Sequence, residues 1–96
     1  MKAYIKGISY YLPDRVVTNE ELVNEFPEWT VEKVAGKIGI SKRHIAAHNE
    51  TSADMAVKAG KQLFREHNIS PQEIDFVMLC TQSPDYFLPT SACLIQ

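Results

Sequence analysis

The 96-residue sequence contains only two cysteines and has no apolar run approaching the length of a membrane-spanning helix. The cysteines, Cys80 and Cys93, form no Cys-x-x-Cys pair and have no histidine at ligand spacing. A metal site is therefore unsupported, and free thiols of this kind fit a reducing cytoplasm. A bilayer-spanning helix needs about 20 apolar residues, so the sequence predicts no membrane segment.

The chain also has no strong excess of charge of either sign, and it has few glycines. Ten basic and twelve acidic residues give a net charge of −2, which offers no reason to expect nucleic acid or an anionic membrane as a partner. The four glycines are scattered along the chain, so there is no glycine-rich phosphate loop. The first residues, 1–7, lack the apolar core of a signal peptide, so the sequence does not favour secretion.

What is present is an unusually uniform apolar run from Phe76 to Cys80. Such runs are typical of a strand buried on both faces of a parallel sheet. A proline-bounded loop, residues 81–89, follows, and Thr90 with Ser91 then predicts the start of another helix. Ligands of open α/β sheets collect beyond the carboxyl ends of the strands. The loop is therefore predicted to lie at the functional edge.

Caps and apolar stripes predict the remaining elements and, with them, a layered α/β fold. The predicted elements are a first strand from Ala3 to Leu12, a helix over 19–25 after Thr18, a helix over 31–38 after Thr30 and before Gly39, a short extended segment over 41–47, a long helix from Thr51 to about His67, and one helical turn after Ser70. No linker interrupts residues 1–96, and we expect them to be the front piece of a larger domain.

The residues with reactive side chains give no clear catalytic pattern. Cys93 lies near a predicted helix N-terminus, where the helix dipole can stabilise a thiolate, but its apolar neighbours favour a buried packing role instead. Cys80, inside the predicted buried strand, is likewise expected to pack. The histidines form no recognisable serine–histidine–aspartate order; they are His44, His48 and His67.

Two groups of residues are candidates for binding. Lys33 and Lys37 are four apart on one predicted helix face, so they could meet a phosphate-bearing ligand together, although a solvated helix surface is the alternative. Trp29 either packs against the start of that helix or stacks on an adenine ring. Phe87 and Leu88 form an apolar loop tip, which is typical of an interface or a binding tunnel, with a purely structural loop as the alternative.

Three ordered stretches carry a resemblance to a known family: Gly7–Pro13 with Thr18–Leu22, Gly39–Ala46 with Glu50–Ala56, and Ile74–Asp85 with Pro89–Gln96. Together, and over nearly the whole chain, they resemble β-ketoacyl-acyl-carrier-protein synthase III, a thiolase-fold condensing enzyme. The resemblance implies a partial thiolase-like α/β fold, the N-terminal part of a layered αβαβα architecture, with residues 1–96 as a fragment of its first half.

The resemblance also implies an activity. Family members transfer an acyl group from coenzyme A to a cysteine and condense it with malonyl-acyl carrier protein in fatty acid biosynthesis, with loss of carbon dioxide. A histidine and an asparagine assist, no cofactor is used beyond acyl-CoA as substrate, and the enzymes are cytoplasmic homodimers. Rival interpretations are a synthase of the same fold in polyketide or long-chain ketone formation, and a non-catalytic α/β interaction module.

At the level of residues, the resemblance implies that the chain holds none of the catalytic groups, because Cys93 matches a non-catalytic helix position. Trp29, Lys33 and Lys37 fall on the coenzyme A side, but many family members carry a tryptophan and an arginine at the positions of Lys33 and Lys37, and Trp29 lies four residues before that tryptophan position. The family's loop phenylalanine, which reaches across the dimer to the partner's acyl pocket, is replaced by Leu88, with Phe87 beside it.

Overall fold

The computed structural model describes all residues from 1 to 96. The chain divides into two compact units. Residues 13–48 form the small-sheet unit, and residues 1–12 with 49–96 form the long-helix unit. No helix in either unit combines the length and the apolar character that crossing a bilayer would require.

The small-sheet unit is built on one antiparallel strand pair. Strand β1, Arg15–Thr18, pairs with strand β2, Lys42–Ile45, so that Arg15 lies opposite Ile45. The predicted extended segment over 41–47 is confirmed by β2. The sequence interpretation missed β1, although Val16 and Val17 are β-branched residues that favour strands.

The two helices of this unit begin and end as predicted. Helix α1, Asn19–Glu25, starts with a capping box between Thr18 and Glu21, and helix α2, Val31–Ile38, starts at the Thr30 cap. Gly39 ends α2 in the left-handed conformation, with φ of 71°, which suits glycine because it has no Cβ. Val34 of α2 is only 2% exposed and forms the centre of this small core.

The long-helix unit is organised on helix α3, Ser52–His67, which is also confirmed. A capping box between Thr51 and Asp54 opens it, and Asn68 closes it in the left-handed conformation. A 3-10 turn over Pro71–Glu73 and a short helix α4, Ser91–Ile95, complete the unit. Both follow the predicted caps, although the Thr90 side chain makes no capping hydrogen bond to the backbone.

The two predicted strands of the long-helix unit, over 3–12 and 76–80, do not form. The only sheet in the chain is the β1–β2 pair, so neither segment has a neighbouring strand to accept and donate its backbone hydrogen bonds. Phe76 and Met78 are 77% and 82% exposed. The prediction of a strand buried on both faces is therefore wrong for these residues, because nothing within the chain covers the second face.

Each of these two segments nevertheless keeps one face covered. Alternate residues are half-buried in both of them, among them Gly7, Ser9, Val77 and Leu79. The period of two is that of an extended chain lying against a surface. The opposite apolar face is open, which explains the number of large exposed side chains; these include Tyr4, Ile8, Tyr10, Phe76 and Met78.

Polar contacts with α3 hold the first segment in place. The Ser9 hydroxyl donates to the Glu66 carboxylate at 2.6 Å. Tyr11 and Lys58 both donate to the Glu50 carboxylate, at 2.6 Å and 2.5 Å, and Lys58 also donates to the Tyr11 hydroxyl at 3.1 Å. The hydrogen bonds of Lys58 to Glu50 and then to Tyr11 raise the pKa of its ammonium above the usual range. Side-chain hydrogen bonds thus hold this segment in place, whereas backbone hydrogen bonds would hold a strand in a sheet.

Candidate ligand-binding site

The three residues predicted for the coenzyme A side lie together in the small-sheet unit. The Nζ of Lys33 lies over the Trp29 ring at 4.9 Å from its centroid, and the Nζ of Lys37 lies at 5.7 Å. Both distances fall within the range of cation–π attraction. We call these residues the tryptophan–lysine cluster.

An apolar pocket of about 240 Å³ adjoins the cluster; its lining is Leu22, Phe26, Trp29, Val34 and Ile38. Trp29 precedes the Thr30 cap and Val34 is the fourth residue of α2, so this is the arrangement of a hydrophobic staple. The pocket places the tryptophan between an apolar interior and two exposed cations. Both helices contribute to it, which makes its shape depend on how α1 and α2 are held together.

A buried asparagine that sequence reasoning missed connects these elements. Asn19 is 3% exposed; its side-chain oxygen accepts from Arg43 at 2.7 Å and its amide donates to the Ile40 carbonyl at 3.0 Å. Its backbone N–H donates to the Ser41 carbonyl at 3.2 Å. Nothing in the local sequence marks Asn19 out, because a residue after a helix cap is ordinarily solvated.

The proline-bounded loop belongs to the long-helix unit. Ser52 at the start of α3 donates to the Ser83 carbonyl at 2.7 Å and fixes the base of the loop. Beyond it, Phe87 and Leu88 are 98% and 82% exposed. The predicted apolar tip is therefore present, and no residue of the chain covers it.

Both cysteines are exposed, which contradicts the prediction that they pack inside. The reason for Cys80 is the open face of its segment, and α4 is likewise covered on one side only, where Ser91 is buried. Thr90 donates from its hydroxyl to the Cys93 sulfur at 3.3 Å. No group of three histidine, cysteine, aspartate or glutamate side chains is placed to hold a metal ion.

Two of the three histidines face backbone carbonyls. A ring nitrogen of His44 lies 2.5 Å from the Pro13 carbonyl, and one of His67 lies 3.0 Å from the Ile8 carbonyl. Each contact orients the ring toward a structural partner. The tryptophan–lysine cluster is thus the arrangement with the clearest ligand chemistry, since it combines an aromatic face, an apolar pocket and two ammonium groups suited to an anionic aromatic molecule.

Comparison with known proteins gives a consistent match, although no protein-family model matches the chain. The chain is 43% identical over 95 residues to β-ketoacyl-acyl-carrier-protein synthase III of Methylococcus capsulatus, covering 96% of the chain and 28% of that protein. A crystal structure of a 3-oxoacyl-acyl-carrier-protein synthase III superposes with a TM-score of 0.87 at 48% identity, covering 96% of the chain and 27% of that structure.

A crystal structure of Xanthomonas campestris OleA superposes with a TM-score of 0.80 at 19% identity, over 95% of the chain and 29% of that structure, which shows the fold alone. The chain spans little more than a quarter of the length of the proteins it matches. The shared architecture confirms the predicted fold class, a partial thiolase-like α/β fold.

Proposed function

Since the chain is similar in sequence and in fold to the N-terminal segment of β-ketoacyl-acyl-carrier-protein synthase III, we propose that it serves as that segment of an acyltransferase. The reaction is the decarboxylative condensation of an acyl-CoA with malonyl-acyl carrier protein in fatty acid biosynthesis. The parent enzyme is a cytoplasmic homodimer that uses acyl-CoA as a substrate and needs no further cofactor. The match over nearly the entire chain carries this proposal.

Within that reaction, the tryptophan–lysine cluster is the wall on the coenzyme A side. Coenzyme A ends in a phosphorylated nucleoside, and lysine ammonium groups attract phosphate as compact point charges. Lys33 and Lys37 project from one face of α2 over the ring of Trp29. A phosphate that approaches this face meets two cations at once, which makes charge attraction the main contribution of the cluster.

The loop tip at Phe87 and Leu88 is the proposed wall of the acyl pocket or of the dimer interface. Both side chains are almost fully exposed here, and large exposed apolar groups usually mark surfaces that another chain or a ligand covers. A leucine at this position leaves more space than a phenylalanine, so the length of the accepted acyl chain depends on it. Enlarging Leu88 to phenylalanine in the parent enzyme is expected to change the acyl-length preference.

The nucleophile of this reaction is proposed to lie outside residues 1–96, together with the histidine and asparagine that assist it. Cys93 belongs to a five-residue helix and its sulfur accepts a hydrogen bond from Thr90. Condensing chemistry requires a thiolate with a base or donors arranged around it. The contacts of Cys93 supply no such arrangement.

Titration with coenzyme A, followed by the fluorescence of Trp29, the only tryptophan, tests the role of the cluster. Lys37→Ala is expected to raise the Kd roughly two- to fivefold, because an exposed ion pair contributes up to about 1 kcal/mol. Lys33→Ala should act in the same direction, and added salt should weaken binding to the unchanged chain. Lys61→Ala, an exposed change on α3 in the other unit, is the control and should leave the Kd unchanged.

A condensing enzyme that makes long-chain ketones or polyketides is the second candidate. The fold shared with OleA and the presence of Leu88 at the loop tip favour it. Acyl-CoA chain length separates the two: the parent enzyme of the first candidate turns over short acyl-CoA with malonyl-acyl carrier protein. Preference for two long acyl chains would support the second.

A self-contained interaction module is the rival from another functional class. It predicts that the 96 residues behave as a cooperative monomer. The open apolar faces of the two extended segments, which expose Tyr4, Ile8, Phe76 and Met78, predict instead self-association, because exposed apolar surface of this kind favours association. Size-exclusion chromatography combined with thermal unfolding distinguishes the two outcomes.

A further inference from the structure

We infer that Asn19 is a positioning residue, which sets the geometry of the tryptophan–lysine cluster by holding the C-terminal end of α2 against the start of α1. The assignment of this cluster to coenzyme A rests on the proposed function, but the positioning role itself is a property of the small-sheet unit. The hydrogen bonds of Asn19 go to Ile40, Ser41 and Arg43, none of which belongs to the cluster. Asn19 acts through the turn that follows α2.

The hydrogen bonds of Asn19 converge on that turn from both its side chain and its backbone. The amide donates to the Ile40 carbonyl at 3.0 Å, and the backbone N–H donates to the Ser41 carbonyl at 3.2 Å. Gly39, which ends α2, immediately precedes these two residues. Two donors from one residue thus fix the position of the chain directly after the helix that carries Lys33 and Lys37.

The third contact orients the asparagine itself. Its side-chain oxygen accepts from the Arg43 guanidinium at 2.7 Å, and Arg43 also reaches toward the Thr18 carbonyl at 3.5 Å. This contact determines which end of the amide faces Ile40, because the oxygen is already occupied by a donor. The nitrogen is therefore the only end that can face the carbonyl. Buried polar groups whose donor and acceptor ends both have partners favour one arrangement.

The pocket shows why this matters for the cluster. Leu22 and Phe26 come from α1, whereas Val34 and Ile38 come from α2, and Trp29 lies in the connection between the helices. Asn19 is the first residue of α1 and bonds to the chain just beyond α2. If that bond is lost, the two helices can shift against each other. Trp29 and the ammonium groups above it then lose their fixed relation.

Two substitutions test the role. Asn19→Asp keeps the size and the oxygen that faces Arg43 but replaces the donor toward Ile40 with a second oxygen, and Asn19→Ala removes both contacts. Both are expected to shift the emission of ligand-free Trp29 to longer wavelength and to raise the Kd for coenzyme A roughly three- to tenfold. Binding is measured well below the unfolding midpoint of each variant.

A stability-matched control separates positioning from general loosening. Thr51→Ala removes the cap of α3 in the long-helix unit and should lower the unfolding midpoint without moving the emission of Trp29 or the Kd. Unchanged emission and Kd in Asn19→Asp, with the unaltered chain binding coenzyme A normally, would overturn the positioning role and leave the proposed function intact. A shifted emission in a chain that fails to bind coenzyme A would instead support the positioning role and contradict the proposed function.

Discussion

The small-sheet unit and the long-helix unit differ in how their extended segments are held by hydrogen bonds. In the first, β1 and β2 pair with each other, and the buried Asn19 links the start of α1 to β2 and to the turn after α2. In the second, the extended segments over 3–12 and 76–80 pair with no strand, and the α3 side chains of Glu66 and His67 hold the first of them. The small-sheet unit pairs its two strands with each other, whereas the long-helix unit leaves the apolar faces of its extended segments open.

This difference indicates where ligand chemistry can be recognised in a short stretch of sequence. A unit that closes locally fixes its side chains relative to each other, and the tryptophan–lysine cluster lies in that unit. The open face of the long-helix unit gives no fixed geometry to a ligand. In the proposed synthase, we expect the remainder of the longer enzyme to cover this face.

The largest expected effect comes from adding a side chain at Gly7, where the backbone of the long-helix unit lies close to the ring of His67. A Cβ at Gly7 would lie 2.8 Å from Cγ of His67, and the ring cannot move without losing its contact with the Ile8 carbonyl. Gly7→Val should therefore lower the free energy of unfolding by on the order of 3 kcal/mol. Urea unfolding followed by helical circular dichroism, which α3 dominates, measures the loss.

Gly36→Ala is the matched glycine control, from the other unit. No atom lies within 4 Å of a Cβ at that position in α2, so the change should stabilise by about 0.5–1 kcal/mol through helix propensity alone. Equal losses in both variants would show that the two glycines do not differ in the way the geometry implies.

A somewhat smaller effect is expected at the centre of the small-sheet unit. Val34→Ala removes two methyl groups from a fully buried position, at a cost of about 2 kcal/mol. Urea unfolding can be followed by the fluorescence of Trp29, which lines the same pocket. The unfolding midpoint should lie at a lower urea concentration than in the unchanged chain. Ile38→Ala, at a half-exposed position of the same pocket, should cost less. An equal cost at both positions would contradict the placement of the core.

The smallest effect is expected in acid, and it should be found in the long-helix unit. The backbone N–H of Ser70 and then Lys6 hold the pKa of Glu73 below its ordinary value of 4.5, and the backbone and hydroxyl of Thr51 hold that of Asp54 below 3.8. The folded pKa values are depressed, so this stabilisation is present above the ordinary values and is lost as the pH falls through the folded ones.

Thermal unfolding by circular dichroism at successive pH values below about 5 checks this expectation. Glu73→Gln and Asp54→Asn should each make the decline of the midpoint shallower, since a neutral side chain no longer titrates. Lys2→Gln, at a residue that pairs with no carboxylate of the chain, serves as the control. An undiminished decline in both carboxylate variants would show that these caps do not contribute to acid stability.

The local elements could be predicted from the sequence because their signals are local. Thr18, Thr30 and Thr51 mark the three longer helices, and Gly39 marks the end of one of them. The grouping of Lys33 with Lys37 follows from helix spacing. Trp29 directly precedes the Thr30 cap of the helix that carries both lysines, so its ring lies close to their ammonium groups.

The remainder depends on partners that spacing does not reveal. The run from Phe76 to Cys80 has the composition of a buried strand, but burial requires a neighbouring element and none is supplied within the chain. Cys93 is exposed for a similar reason. The role of Asn19 could not be read from the sequence either, because its partners are 21 to 24 positions away.

Intact-mass analysis of the chain after incubation with acetyl-CoA tests the central claim most directly, namely that these residues form a ligand wall and hold no nucleophile. The account predicts that coenzyme A perturbs the fluorescence of Trp29 while the mass of the protein stays unchanged. A stoichiometric acetyl adduct that disappears in Cys93→Ala or in Cys80→Ala would contradict it.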